Sequence, residues 1–371
     1  MNLFIKILFF TLLLLPFNGY SKEAKDVDVK EIVLNHINDS YEWHIITARG
    51  KHISIPLPVI VYSNESGWNC FMSSHLHAGH EYRGFSVAGD GKYKGKLVEK
   101  LPDGTYVRPF DISITKTVAG LFINCIILLW LVLAISRKYR NDKPDSEAKR
   151  GLAGMVEVII NFVIEDVIKP SLGGKYLKFT PYLLTIFFFI LINNLMGLIP
   201  LFPAGVNVTG NISVTMVLAV SSFVAINLFG SKHYWKDIFW PDVPTWLKVP
   251  IPLMPLLELI GIFTKPFSLM IRLFANIMAG HAVILILICI VFATVKLGYT
   301  INGTMSAVSV LLCIFMNCLE LMVAFLQAFV FTMLTSVFIG FAQMEGEHAE
   351  KHGEPAADEL NDKLITENNN N

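Results

Sequence analysis

Long apolar runs separated by short charged segments fill the chain from residue 117 onward. About 20 apolar residues are enough for a helix to cross the hydrocarbon core of a bilayer. Residues 155–168 mix acidic with apolar side chains and predict an amphipathic helix on the membrane surface. The apolar runs themselves predict membrane helices at residues 117–135, 181–202, 211–229, 252–295 and 305–343.

The last two apolar runs are too long for upright spans. The 29 residues of Phe267–Val295 would form a helix about 43 Å long, and the 39 residues of Met305–Gln343 one about 58 Å long. The hydrocarbon core is only about 30 Å thick. We therefore predict a tilted, membrane-embedded hairpin, joined by the polar turn Lys296–Thr304. The fold class is an all-α polytopic membrane protein with five to six membrane-associated helices.

A different pattern precedes the first span. Residues 1–21 contain a lysine, a short apolar core and small residues near their end, which predicts a secretory signal peptide; a retained first membrane helix is the alternative. Residues 22–116 hold short β-type runs at 43–47, 52–55, 59–62, 84–87 and 105–110, and they predict a small β-rich extracytoplasmic domain. Its histidines suggest either a metal site without a clear fourth ligand or, preferably, a solvated loop: His75, His77 and His80.

Positive charge fixes the predicted orientation. Six basic residues follow the first span, and cytoplasmic flanks are enriched in lysine and arginine. The N-terminal domain is therefore predicted to be periplasmic and the polar tail 344–371 to be cytoplasmic and disordered. The six basic residues are Arg137, Lys138, Arg140, Lys143, Lys149 and Arg150.

Composition fits a membrane domain joined to a water-exposed portion. The chain has 371 residues, of which 53% are apolar and 16% charged, and its net charge is zero. The zero net charge gives no indication of a nucleic-acid partner. Neither metal-type cysteine spacing nor a phosphate-binding loop or nucleophile elbow occurs, so we expect no metal, no cofactor and no nucleotide chemistry in this chain.

One arginine lies inside the apolar run that follows Phe267. A charged guanidinium at membrane depth costs about 2.5–3.5 kcal/mol on insertion scales, so Arg272 is a candidate functional residue. A snorkelling arginine near a helix end is the alternative. Asn276 lies one turn beyond Arg272 on nearly the same face, whereas His281 lies nine residues on, about half a turn round the helix.

The last apolar run carries a carboxyl group, Glu320, deep among apolar residues. A pair of Glu320 with His281 across the hairpin would be a proton relay, because imidazole exchanges a proton near neutral pH. A structural hydrogen-bonded pair between the two helices is the alternative. Gln327 shares a face with Glu320, and both Gln327 and Asn276 could instead be interhelical hydrogen-bonding residues.

These motifs resemble subunit a of the F-type ATP synthase, the stator channel subunit of its membrane sector. The resemblance runs from about residue 117 to 343 and rests on four stretches: the arginine segment Lys265–Asn276 with Ala279–His281, Leu326–Phe329 with the preceding Glu320, Asn194–Pro200, and Asn211–Met216. It implies a non-catalytic subunit that translocates protons, with sodium as the alternative ion, through two half-channels.

The resemblance also implies roles for individual residues. Arg272 would meet the carboxylate of each passing subunit of the c ring and block a direct leak. His281 and Glu320 would line the periplasmic half-channel, with the acid and the imidazole exchanged relative to many bacterial members. Asn211, Asn276 and Gln327 would be polar neighbours. The implied partners are the c ring, the b stator, the rest of the synthase and the lipid bilayer of a bacterial inner membrane.

Two positions depart from the family pattern: Ala275 replaces a commoner glycine, and Met270 stands where a small residue is usual. A large Met270 is expected to alter close packing against the ring. A secondary transporter that uses Arg272 for an anionic substrate is the alternative function. It would predict internal repeats with broken helices, which the chain lacks. A third hypothesis, a membrane anchor for the β-rich domain, leaves the intramembrane charged residues unexplained.

Overall fold

A computed structural model describes most of the chain: residues 39–48, 51–89, 91, 93–101, 104–140, 151–199, 205–239 and 253–343. The predicted signal peptide 1–21 and the predicted tail 344–371 lie outside the described residues. The described part contains a β-rich region followed by long apolar helices, as the sequence predicts.

The β-rich region consists of small antiparallel sheets. The strands are β1 Glu42–Ala48, β2 Lys51–Pro56, β3 Pro58–Ser63, β4 Gly67–Met72, β5 Phe85–Val87, β6 Leu97–Lys100, β7 Tyr106–Val107 and β8 Phe110–Asp111. Strands β1 and β2 form a hairpin, a second sheet has the order β4-β3-β8, and a third has the order β5-β6-β7.

The sequence interpretation missed strands β4 and β6. In β4 the usual alternation is reversed, because Asn69 is buried while Trp68 is 64% exposed. The Asn69 amide donates to the hydroxyl of Ser66 at 2.8 Å, which compensates for its burial. Strand β6 is only four residues long, too short for a period-two pattern to stand out.

The helices follow the apolar runs. They are α1 Lys116–Tyr139, α2 Leu152–Phe162, α3 Lys169–Leu172, α4 Tyr176–Leu198, α5 Ile212–Leu228, α6 Lys232–Phe239, α7 Leu253–Ala293 and α8 Tyr299–Gln343. A π-helical turn, Val163–Ile168, joins α2 to α3. By length and composition, the segments 116–139, 152–198, 255–293 and 300–343 could each cross a membrane, whereas α5 is shorter.

The structure differs from three predicted helix boundaries. The helix predicted at 155–168 does not stand alone, since helical turns run almost continuously from Leu152 to Leu198. Pro181 lies inside α4 instead of starting it, and the Pro181 carbonyl accepts a hydrogen bond from Thr185 at 2.7 Å. Helix α8 begins at Tyr299 and not at residue 305, because Gly298, with φ of +107°, makes the turn tighter than expected.

The main apolar core lies between α2, the π turn, α4, α7 and α8. Its fully buried side chains include Val163, Ile168, Phe187, Leu273 and Ile339. Helices α7 and α8 form the predicted hairpin, with lengths of about 61 and 67 Å for their 41 and 45 residues. The hydroxyl of Ser309 on α8 donates to the carbonyl of Leu287 on α7, which ties the two helices near the turn.

Candidate functional site

Helix α7 has one buried and one outward side. Leu269, Leu273 and Ile277 are almost fully buried, at 2%, 1% and 3% exposure, and they recur every four residues. His281 follows one turn after Ile277 and continues that inward stripe. Asn276 is exposed on the other side. Asn276 and His281 therefore lie on different sides of the helix. This agrees with the half-turn predicted between His281 and Arg272, which lies one turn from Asn276.

His281 and Glu320 meet across the hairpin. The Nδ1 atom of His281 lies 2.8 Å from Oε1 of Glu320, and the side chains are 18% and 4% exposed. Apart from this contact, neither oxygen of Glu320 has a hydrogen-bond partner among the described residues. An acid so deeply buried with a single basic partner is coupled tightly to that partner, because little else compensates its charge.

Two glycines make room for this pair. A methyl group on Gly280 would lie 2.9 Å from Oε1 of Glu320, closer than carbon and oxygen ordinarily approach. A methyl group on Gly197, in α4, would lie 3.6 Å from Nε2 of His281 and 3.7 Å from the carbonyl oxygen of Val206. The bare backbone of Gly197 therefore leaves space between His281 and the α4–α5 loop.

Polar side chains surround this end of the membrane helices. Thr209 in the α4–α5 loop donates to Oδ1 of Asn194 at 2.6 Å, and the amide of Asn194 donates to the carbonyl of Ala324 at 3.2 Å. Ala324 is one turn beyond Glu320 on the same helix. On the other side of α4, Asn193 accepts from the amide of Asn124 on α1 at 2.9 Å. Together these bonds join α1, α4, the loop and α8 around the His281–Glu320 pair.

The sequence interpretation assigned no role to these asparagines. Asn193 and Asn194 are 2% and 3% exposed, within an apolar helix. Their position as an adjacent amide pair inside an apolar run was the available signal, since buried polar groups in membranes need partners. Their partners lie 69 and 130 residues away, a distance that spacing along the chain cannot bridge.

A second set of buried polar groups follows Glu320 along α8. Gln327 is 4% exposed and makes no hydrogen bond to any described residue. Thr332 and Ser336 are fully buried, and their hydroxyls lack partners among the described residues. Thr335 lies 3.4 Å from the hydroxyl of Ser222 on α5. The inward stripe of α8 is therefore polar over several turns.

Arg272 is half-buried and makes no ion pair or hydrogen bond within the described part of the chain. Its helical neighbours Ser268, Ala275 and Asn276 are exposed, so the surface beside it is open. A guanidinium is always charged and is rarely left without an anion in lipid. This arrangement suits a carboxylate supplied by another chain.

The structure corrects the expectation for Met270. This side chain is 7% exposed and lies in the inward stripe beside Leu269, so it fills the chain's own core. Its bulk does not enlarge the outward surface near Arg272. The other substituted position, Ala275, is exposed on that surface and is small.

Asn211 and His75 make local contacts with their own neighbours. Asn211 caps α5, where its Oδ1 accepts from the backbone N–H of Ser213 at 3.0 Å. His75 stacks on the ring of Tyr82, with ring centroids 4.5 Å apart. Among the described residues, no group of three histidine, cysteine or acidic side chains could hold a metal ion.

Comparison with known proteins gives two family matches. The family described as ATP synthase A chain matches residues 118–340, and a domain of unknown function matches residues 32–112. The ATP synthase subunit a of Chlorobium phaeobacteroides is 42% identical over 246 residues, which cover 65% of this chain and 68% of the relative.

Two further relatives have the same breadth of match. The ATP synthase subunit a 2 of Chlorobaculum tepidum is 42% identical over 251 residues, covering 66% of this chain and 68% of the relative. The ATP synthase subunit a of Chloroherpeton thalassium is 40% identical over 250 residues, which cover 66% of this chain and 71% of the relative. The ATP synthase A chain match covers the membrane helices and begins after the β-rich region.

Proposed function

This chain belongs to the ATP synthase A chain family, and we propose that its His281–Glu320 pair is the proton relay of a half-channel open to the periplasm. As a member of that family, the protein is a multi-pass membrane subunit of the proton channel and is not itself a catalyst. The finer assignments below concern the route of the proton and the partners of each residue.

The observation that carries the relay is the orientation of His281. Its Nδ1 atom faces Glu320 at 2.8 Å, and its Nε2 atom faces the space beside Gly197 and the Val206 carbonyl. An imidazole can accept a proton at one nitrogen and release the other proton from the opposite nitrogen. A proton that enters from the periplasm past the α4–α5 loop thus binds at Nε2 of His281, and the proton on Nδ1 passes to Glu320.

Arg272 acts at the end of this route. It lacks an anion among the described residues, and we assign that place to the carboxylate of a passing c-ring subunit. At about 4 Å the attraction is worth about 4 kcal/mol at an effective dielectric constant near 20. This attraction favours the ionised carboxylate and releases its proton. Because the guanidinium does not deprotonate, it also blocks direct proton transfer between the two half-channels.

Polar neighbours complete the route. Gln327 follows Glu320 on the inward stripe of α8, and Asn276 lies one turn from Arg272 on the outward side of α7. We assign both, together with Asn211 near the outer loop, to the lining of the half-channels. The partners are the c ring, the b stator, the other synthase subunits and the bilayer, in which the long hairpin is inclined along the ring.

The basic residues after α1 support the orientation. Arg137 and Lys138 lie in the last turn of α1, and further basic residues follow in the sequence, as is typical of a cytoplasmic flank. The domain limits are a signal peptide at 1–21, a periplasmic domain at 22–116, a membrane domain at 117–343 and a cytoplasmic tail at 344–371. The α4–α5 loop then faces the periplasm.

Passive proton conductance of membrane vesicles stripped of the catalytic sector tests the relay. Glu320→Gln keeps the size of the side chain but cannot exchange a proton, so conductance should fall to the background of vesicles lacking the subunit. Asn317→Ala, on an exposed position one turn before Glu320, is the matched control and should conduct normally. Normal conductance in Glu320→Gln vesicles with a normal amount of the subunit would refute the relay.

A further inference from the structure

The β-rich region is attached to the loop that borders the candidate site. Trp43 of β1 is 6% exposed and packs in one apolar cluster with Val206 and Val208 of the α4–α5 loop. Those two valines are 3% and 0% exposed, and Ile55 of β2 covers the same cluster. A buried tryptophan that joins two segments so far apart in the chain stabilises their contact strongly, because its large apolar surface is removed from water.

A second attachment lies at the start of α1. The carboxylate of Asp39 accepts a hydrogen bond from the backbone N–H of Thr117 at 3.0 Å, and the carbonyl of Ser40 accepts one from Lys116 at 2.8 Å. Gly120 brings α1 against the same loop, since a methyl group there would lie 2.9 Å from Cβ of Val206. The β-rich region, α1 and the loop therefore meet at one joint.

The loop in turn holds the surroundings of the pair. Thr209, next to Val208, is 1% exposed and bonds Asn194, which bonds the Ala324 carbonyl one turn from Glu320. The carbonyl of Val206 borders the space beside Gly197 into which Nε2 of His281 points. Any outward movement of the loop would widen this space and pull on the Thr209–Asn194 bond.

We propose that the β-rich region clamps loop residues 205–209 through Trp43 and thereby sets the width of the proton's access route to His281. This inference rests on the proposed function. It gives a role to a region that the ATP synthase A chain match does not include and that otherwise matches only a domain of unknown function. Loops open locally at low free energy unless buried contacts hold them. Trp43 is such a contact and acts as a positioning residue, without touching the proton route itself.

Accessibility of the loop is the direct readout. In intact synthase with Cys70 replaced by serine, Val208→Cys reports loop opening through its reaction with a membrane-impermeant maleimide added from the periplasmic side. Trp43→Ala should speed this labelling about tenfold, since a tenfold change in an opening equilibrium requires only about 1.4 kcal/mol. Trp43→Phe should stay near the parent rate, and Trp68→Ala, at the 64% exposed tryptophan, should not change it.

Passive proton conductance of vesicles that carry these variants and are stripped of the catalytic sector is the functional readout. Trp43→Ala should lower it severalfold, because the released loop pulls on the Thr209–Asn194 bond and so displaces the surroundings of the His281–Glu320 pair. Trp43→Phe should conduct like the parent, and Trp68→Ala should leave conductance normal. Ile55→Ala trims the same cluster more mildly and should change labelling and conductance in the same directions if Trp43→Ala prevents assembly. Parent-like labelling and conductance in Ile55→Ala or in an assembled Trp43→Ala synthase would overturn the clamp.

Glu320→Gln separates this inference from the proposed function. If Glu320→Gln blocks conductance while the Trp43 and Ile55 variants behave as the parent, the relay holds and the clamp fails. If Glu320→Gln conducts normally, the relay fails, and the labelling rates alone still show whether the β-rich region holds the loop closed.

Discussion

The two sides of helix α7 handle their polar groups in opposite ways. On the inward side, Nδ1 of His281 lies 2.8 Å from Oε1 of Glu320 in the same chain. On the outward side, the described residues offer Arg272 no acid, and the adjacent Ala275 and Asn276 are exposed. A guanidinium in a membrane helix that lacks an anion among the described residues is expected to receive one from another chain. Under the proposed function, the inward pair belongs to a proton route inside the subunit, and the outward charge belongs to a contact with another subunit.

Removing the outward charge should have the largest effect. Arg272→Ala should reduce ATP-driven proton pumping by about 10³-fold, because about 4 kcal/mol of attraction to the ring carboxylate disappears. A passive leak can remain, since the inward pair is intact and the barrier between the half-channels is gone. Acidification of inverted vesicles on addition of ATP measures the loss, and pumping at the parent rate would contradict the role of Arg272.

Crowding the inward pair should have a smaller effect than removing the outward charge. Gly280→Ala adds a methyl group 2.9 Å from Oε1 of Glu320, and overpacking of this kind costs about 1–3 kcal/mol. Proton conductance should fall roughly tenfold. Gly261→Ala on the same helix is the matched control, since the added methyl group meets nothing within 4 Å. Equal conductance in the two variants would show that the pair tolerates displacement.

Exchanging the members of the pair should have a smaller effect. In the parent, the acid and the imidazole are 2.8 Å apart. The double variant His281→Glu with Glu320→His keeps one acid and one imidazole at these two positions. It should retain more conductance than His281→Ala or Glu320→Ala, each of which should lose roughly 10²-fold, the usual contribution of a proton-transfer group. A double variant as inactive as the single ones would show that the two positions are not interchangeable.

Met270 and Ala275 should show the smallest difference in transport. Met270→Ala removes a buried side chain of the inward stripe and should destabilise the fold by about 2–5 kcal/mol, with little change in conductance once the subunit is assembled. Ala275→Gly, on the exposed side, should leave thermal stability almost unchanged. Melting temperatures of the purified complex distinguish the two, and a stable Met270→Ala complex would place Met270 outside the core.

Much of this arrangement could be predicted from helical periodicity. A nine-residue separation places Arg272 and His281 on opposite sides of a helix, and the length of the last two apolar runs predicts the hairpin. Contacts between distant helices could not be predicted in the same way. The Asn194–Ala324 bond spans 130 residues, and the joint between Trp43 and the α4–α5 loop combines a β-strand with a membrane loop. Such contacts depend on how the helices pack, which a one-dimensional pattern does not contain.

The bounds of short elements were also beyond prediction. Strand β4 hides Asn69 and exposes Trp68, so its hydrophobic pattern predicts the opposite face. The turn of the hairpin was predicted too long, because Thr300 and Asn302 are polar yet helical; Asn302 accepts a hydrogen bond from Thr294 across the turn at 2.9 Å. Polar residues with local partners can continue a helix where composition alone indicates a loop.

Disulfide cross-linking to the c ring tests the two-sided arrangement of α7 most directly. In a synthase whose native cysteines are replaced, cysteines at Ala275 and Asn276 lie on the exposed side, and cysteines at Leu273 and Ile277 replace buried residues at 1% and 3% exposure. Each is paired with a cysteine next to the ring carboxylate. We predict cross-links from Ala275→Cys and Asn276→Cys and none from Leu273→Cys or Ile277→Cys. Cross-links from the buried positions, with none from the exposed ones, would contradict the assignment of Arg272 to the ring.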